Sequence, residues 1–418
     1  MSSNTLKSVS STDKATLREL AKRVAEIAAA PEQTRKANLW KEHNDLKSGA
    51  PLILVFPEGS WREIMPDGAL LCSDERCRGI ELNLRRRIYY QENLRDDNVI
   101  DGEYRVPFRL EYTGWGLEPK RVHPDGAPLG ADHFVPVLES RDDLEKLCIP
   151  SVKLDKEGTA SDIEFHKELL GAHLNVVACG PGAGIAPLDH YSQLRGLEKL
   201  FVDLYEEPEL VHETVGRLVD GAIAIRKSLE EQGVLTLNLG NHYAGSGGTC
   251  YTGELPSAGF DGKHVRNIDC WGFATAQIFS EVSPEMHEEF ALRHERRFLE
   301  LFGLNSYGCC EPLHRKLDLI EKNVPRLRRV SISPWADVRV SAEAIGRKYI
   351  FSWKPNPAIL AGDKFNESQI MEDIRTTLKA TKGCVVEMIM KDTHTVRNEP
   401  WRLSKWVDMA RRVVTEFF

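Results

Sequence analysis

Residues 307–314, Tyr-Gly-Cys-Cys-Glu-Pro-Leu-His, form the most unusual chemical cluster in the sequence. Cys309 and Cys310 are adjacent, and Glu311 and a predicted helix start follow them. Thiolates, carboxylates and imidazoles are the groups zinc accepts, and a catalytic zinc takes three protein ligands and keeps a fourth position open. A helix start just after Cys310 would favour its thiolate. Consecutive strand residues point to opposite faces, so both thiols reach one ion only if the strand has ended before them. The competing reading is one cysteine packed in a wall beside an inert one. His314 lies one helical turn after Cys310, where an exposed polar role is favoured.

A second cluster runs from Asn238 through His242, Tyr243 and a Gly-rich stretch to Glu254. Such a loop after a strand brings backbone N–H groups to a polar or anionic ligand, although many Gly-rich loops are plain turns. Glu254 is a ligand, an acid or a solvated charge. Lys391 and Asp392 end the last apolar run, as a working pair or as an ion pair that stabilises a rim. Tyr243, Tyr307, Trp335 and Trp353 could wall a flat substrate or belong to the core.

These groups lie far apart in a chain of 418 residues, so the elements between them must gather them. Short apolar runs alternate with amphipathic helices. The runs are Leu52–Phe56, Leu174–Cys179, Val234–Leu239, Asn267–Trp271, Leu301–Cys309, Arg329–Ser333, Tyr349–Trp353 and Cys384–Met390. Helices are predicted over Leu197–Tyr205, Pro208–Glu231, Pro284–Phe302, Ala342–Ile345, Glu367–Thr381 and Pro400–Phe417. This alternation predicts parallel strands with helical crossovers. The fold class expected is α/β, a (β/α)8 TIM barrel. Residues 1–50 form an N-terminal helical extension, residues 51–418 the barrel, and residues 57–170 a long insertion or cap after the first strand. In the extension, Leu17, Leu20, Ala21, Val24, Ile27 and Ala28 mark one helical face. A doubly wound sheet is disfavoured, because Gly180-Pro-Gly-Ala-Gly carries a proline and opens no clean helix.

Barrel enzymes place active groups at the carboxyl ends of the strands. That rule selects Asn238, Asn241 and His242, then Tyr307, Cys309, Cys310 and Glu311, then Ser333, Trp335 and Asp337. It also selects Lys354 and Asn356, and Lys391, Asp392 and His394, and it rejects Cys384 at the start of its strand. The expected catalytic residues are His242, Lys391, Asn238 and Glu311. Substrate binding is expected from Tyr243, Tyr307, Trp335 and Trp353, and metal binding from Cys309, Cys310, Glu254 and Asp392.

Composition excludes other classes. Apolar residues make up 41% and charged residues 28%, enough for a large core and against disorder. No window nears the ~20 consecutive apolar residues of a membrane span. The net charge of −8 argues against a nucleic-acid surface. Nine scattered cysteines and no apolar leader after Met1 predict reduced thiols and a cytoplasmic location.

The stretches Gly180-Pro, Leu194-Arg-Gly-Leu-Glu-Lys-Leu and Leu204-Tyr-Glu-Glu-Pro-Glu-Leu-Val resemble the uroporphyrinogen decarboxylase superfamily. So do Gly308-Cys-Cys-Glu-Pro-Leu, Lys354-Pro-Asn-Pro and Lys391-Asp-Thr-His-Thr-Val through Pro400-Trp-Arg-Leu-Ser-Lys-Trp. The resemblance runs from about Leu174 to the C-terminus. The decarboxylase branch carries an Arg-rich R-x-P-x-W-x-x-R motif that this sequence lacks. The other branch comprises zinc-dependent methyltransferases that exchange methyl groups with a corrinoid protein or use coenzyme M. Their H-x-C motif is replaced here by Tyr307 and Cys309, and Asp392 stands where a second thiol is expected. Length and the long first loop look like the aryl-ether O-demethylating members. This resemblance implies a methyltransferase that moves a methyl group from a small, aromatic methyl ether to a corrinoid on a partner protein. A Lewis or general acid would act on the leaving oxygen, with zinc as the resident cofactor. A cofactor-free decarboxylase or lyase, using Asn238, His242 and Lys391, is the alternative, and a binding protein without catalysis the third. The expected partners are a small molecule and a corrinoid protein, with neither nucleic acid nor membrane. A homodimer is compatible with the sequence.

Overall fold

The computed structural model describes residues 9–47, 49–123 and 133–418. Helix Ser11–Ala28 starts at Ser10, whose hydroxyl accepts from the Asp13 N–H, and buries Leu17, Ala21, Val24 and Ile27. A second helix, Pro31–Asn44, opens on a proline that its first turn tolerates. Its buried face carries Trp40, His43 and Asn44 against the amino ends of the central strands. Trp40 Nε1 donates to Asp97 O at 2.7 Å. The Asn44 amide donates to Thr249 O and Tyr251 O.

Seven strands form one sheet in the order Leu52–Val55, Val385–Met390, Ile350–Trp353, Leu327–Ile332, Leu304–Tyr307, Trp271–Ala274, Gly184–Ile185. All the pairings are parallel, and the first strand lies beside the last. Helices Pro208–Glu231, Glu367–Ala380 and Trp401–Phe417 agree with the predicted spans to within a residue. The order is that of a TIM-like sheet, with the ladder open between Leu52–Val55 and Gly184–Ile185 among the described residues.

Three expectations are corrected here. Val234–Leu239 forms no ladder, and the Asn238 side chain takes over, accepting from Trp271 N at 2.9 Å and donating to Trp271 O at 2.8 Å. Asn175–Cys179 is a strand, but it pairs with Glu103–Pro107 in a separate parallel ribbon. The fourth run begins late, at Trp271, because Asn267–Asp269 is a short helical turn tied by the Arg266–Asp269 ion pair. On the open flank of the first strand, the carboxylates of Asp97 and Asp96 accept from Ile53 N and Val55 N. Side chains thus satisfy backbone groups that a neighbouring strand would otherwise pair.

The sheet's two faces differ. Tyr307, Val330, Ile332, Phe351, Trp353, Val386, Met388 and Met390 pack into the main core with the helices. The alternate positions include a run of buried polar residues, Ser306, Arg329, Ser331, Ser352 and Glu387, beside Leu304, Ile350, Val385 and Ile389. Arg329 Nε lies 3.0 Å from Glu387 Oε1. Burial alone would raise the Glu387 carboxyl, but the Arg329 charge together with His43 and the Ser352 hydroxyl outweighs it and holds that carboxyl well below its ordinary value. No described helix is long and apolar enough to cross a membrane.

Candidate active site

The strand Leu304–Tyr307 ends at Gly308, whose φ of 91° turns the chain so that the next two side chains share one side. Cys309 Sγ and Cys310 Sγ are consequently 3.5 Å apart. Glu311 clamps this turn from below. It is fully buried and accepts from Cys309 N at 2.9 Å, the Thr275 hydroxyl at 2.8 Å and Ala276 N at 3.3 Å.

The two thiols open into a cavity of about 560 Å³. Trp335, Lys354, Asn356, Asp392 and His394 also border it. This size suits a small organic ligand. Lys391 flanks it: its ammonium reaches Asp392 Oδ1 at 3.5 Å and the Ser246 hydroxyl at 3.4 Å. Ser246 in turn donates to Cys309 Sγ at 2.9 Å.

These contacts set the protonation states. The hydrogen bond from Cys310 lowers the Cys309 thiol first. Burial opposes this, and Lys391 and Ser246 lower it further. Cys310 moves the other way, raised by the same hydrogen bond and by burial. These surroundings favour the thiolate at Cys309 with Cys310 as its donor. Burial works against the Lys391 charge, but Cys309, Asp392 and Glu58 outweigh it, so the ammonium is held above its ordinary value. Lys354 is buried, donates to Ser352 O and Oγ, and is pushed down to about 7 by burial.

The strand-end rule therefore gathers Cys309, Cys310, Trp335, Lys354, Asn356, Lys391, Asp392 and His394 at one mouth. Other predicted site residues lie elsewhere. Tyr307 points into the helix layer, where its hydroxyl contacts Glu295 Oε2 and His287 Nε2 at 2.8 Å. Trp353 packs on the helix side, in the main core with Trp406. Asn238 mends the sheet edge, and Glu311 supports the cysteine turn. Glu254 forms a two-pronged ion pair with Arg328 at the amino end of its strand. His242 is kept neutral, pushed down to about 4 by burial and by Arg105. Tyr243 lines a different cavity.

Ser246 escaped the strand-end rule because it lies deep in the loop, beyond the Asn238, Asn241 and His242 positions that the rule selected after Val234–Leu239. The signal that could have found it is its glycines. A Cβ on Gly245 would sit 2.0 Å from the Phe273 ring, and one on Gly247 would sit 2.1 Å from Arg329 Cδ. The loop is glycine-rich so that its backbone can press against strand side chains and deliver Ser246 to the thiolate.

Zinc requires about three protein ligands held together. Among the described residues, no three His, Cys, Asp or Glu side chains are gathered at metal-binding range. The expected set is not assembled: Glu254 is paired with Arg328, and an ammonium stands beside Cys309. The residues present thus do not fit a ready zinc site.

No protein-family model and no curated protein sequence matches the chain. Among solved structures, the chain is similar to a methyltransferase from Methanosarcina mazei, with a TM-score of 0.51 and 12% identity over 91% of this chain and 98% of that one. At that identity the likeness shows the fold: a mixed α/β chain with a parallel, TIM-like central sheet.

Proposed function

We propose that the chain is a methyltransferase that takes a methyl group from a small, flat methyl ether and acts through a general acid on the leaving oxygen. The observation that carries this reading is the Lys391 ammonium beside the Cys309 thiolate, at the edge of an open cavity walled by Trp335. The methyltransferase similarity in fold is in keeping with it.

An aryl ether loses phenolate, whose conjugate acid has a value near 10, close to that of a lysine ammonium. Because Lys391 is held above the ordinary lysine value, its proton transfer is modestly uphill, so the ammonium hydrogen-bonds the departing oxygen and gives up its proton only as the C–O bond breaks. The Cys309 thiolate keeps Lys391 charged until that moment, and Ser246 bridges the two groups. Trp335 offers one face to the ring. A corrinoid carried by a partner protein would supply the nucleophile for the methyl carbon. His242, kept neutral outside the cavity, takes no part.

The test uses the purified chain, chemically reduced free cobalamin and a panel of methoxybenzenes. Methylcobalamin absorbance together with released phenol supports the reading. Carbon dioxide release from aromatic acids without cobalamin would instead favour the decarboxylase.

A further inference from the structure

A second cavity, of about 360 Å³, lies between helix Glu75–Tyr89, the segment 98–105 and the loop at Asn241–Tyr243. It shares no lining residue with the thiol cavity. Its charges are unequal. Three guanidiniums, Arg86, Arg87 and Arg105, face two carboxylates, Asp101 and Glu103. Arg105 takes both carboxylates, at 2.7 Å and 2.9 Å. Arg87 donates to the carbonyls of Asp101 and Glu103 and also contacts the Asp101 carboxylate at 3.3 Å.

Arg86 is left over. Its Nε is buried without a hydrogen-bond partner, and no described carboxylate pairs with it. The guanidinium stands 4.9 Å from the centre of the Trp61 ring, which orients it but accepts no N–H bond. A second orphan borders the same space. Asn241 donates its amide N–H to Val99 O at 2.6 Å, which fixes the amide's orientation, and its Oδ1 is then buried without a donor. Leaving both groups unmatched in a folded protein is costly. One residual positive charge, one orphan acceptor and aromatic walls from Phe56, Trp61 and Tyr243 together specify a ligand.

We infer that this cavity binds a planar monocarboxylate that also carries a hydrogen-bond donor. The carboxylate meets the Arg86 guanidinium, the donor meets Asn241 Oδ1 once a small shift of that side chain uncovers the buried atom, and the flat body lies among the aromatic rings. The site is independent of the methyl-transfer reading, because its residues touch neither Cys309 nor Lys391.

Isothermal titration of the full chain with 3- and 4-hydroxybenzoate tests it, beside benzoate, 4-hydroxybenzamide and inorganic phosphate. At least one hydroxybenzoate is expected to bind saturably below about 1 mM. The benzamide and Arg86→Gln should each weaken binding at least about tenfold, the effect of one charge-assisted hydrogen bond. Asn241→Ala should weaken hydroxybenzoate but leave benzoate unchanged. Cys309→Ala should leave this binding unchanged, so binding is read whether or not methyl transfer exists. Equal affinity for the acid and the amide overturns the inference on the unaltered protein, without recourse to any variant. Failure of both hydroxybenzoates to bind up to about 10 mM, or tighter binding of phosphate, overturns it as well.

Discussion

The two flanks of the central sheet present chemistry in different ways. From Leu304–Tyr307 to Val385–Met390, consecutive ladders carry their side chains to a common rim, and the thiols, Lys354 and Lys391 stand where regular strands end. On the other flank, no ladder runs through Val234–Leu239, and Asn238, Asp96 and Asp97 make the bonds with their side chains. There the functional group, Ser246, arrives on a glycine-rich loop. A ladder fixes direction through backbone geometry, whereas the loop depends on glycines and on buried polar partners.

The largest effect should separate chemistry from scaffold on the ladder flank. Lys391→Met should lower methyl transfer about 10²–10⁴-fold, as loss of a general acid does, with little change in melting temperature. Parallel losses of activity and stability would make Lys391 structural.

Next is the polar interior. Arg329→Met leaves Glu387 charged and buried, and should cost about 3–5 kcal/mol in urea unfolding. The pH dependence follows in sign. Because the Glu387 carboxyl is held below its ordinary value, its contribution is complete above the unfolded value near 4.3 and is lost as pH falls further. A wild-type stability flat through that range would contradict this.

On the loop flank, Gly247→Ala should cost about 1–3 kcal/mol, since the new methyl meets the fixed Arg329 side chain. It should also slow Cys309 alkylation at neutral pH by displacing Ser246. An unchanged alkylation rate would show that Ser246 is dispensable.

The smallest effect belongs to Glu254→Gln. Its half-exposed pair with Arg328 is worth less than about 1 kcal/mol, and activity should be unchanged. A collapse of activity would return Glu254 to the site.

The same contrast explains what the sequence disclosed. Strand and helix order from Leu304 onward was legible because apolar runs and amphipathic helices alternate cleanly there, and Cys309, Lys354 and Lys391 follow from strand ends. The face of each side chain was not legible. Tyr307 and Trp353 sit at strand ends yet point outward, since strand alternation sends them to the helix layer. The polar interior was hidden as well, because Arg329 and Glu387 interrupt apolar runs and find their partner only in three dimensions. Val234–Leu239 has the composition of a strand, and only the Asn238–Trp271 contacts show what replaced it.

The central claim is that Cys309 is held as a thiolate by the groups around it. It is tested most directly by the pH dependence of Cys309 alkylation with iodoacetamide, resolved by mass spectrometry in wild type and Lys391→Met. The account predicts a wild-type midpoint well below the ordinary thiol value of about 8.5, moving up towards it when the ammonium is removed. A wild-type midpoint at or above that ordinary value would contradict it.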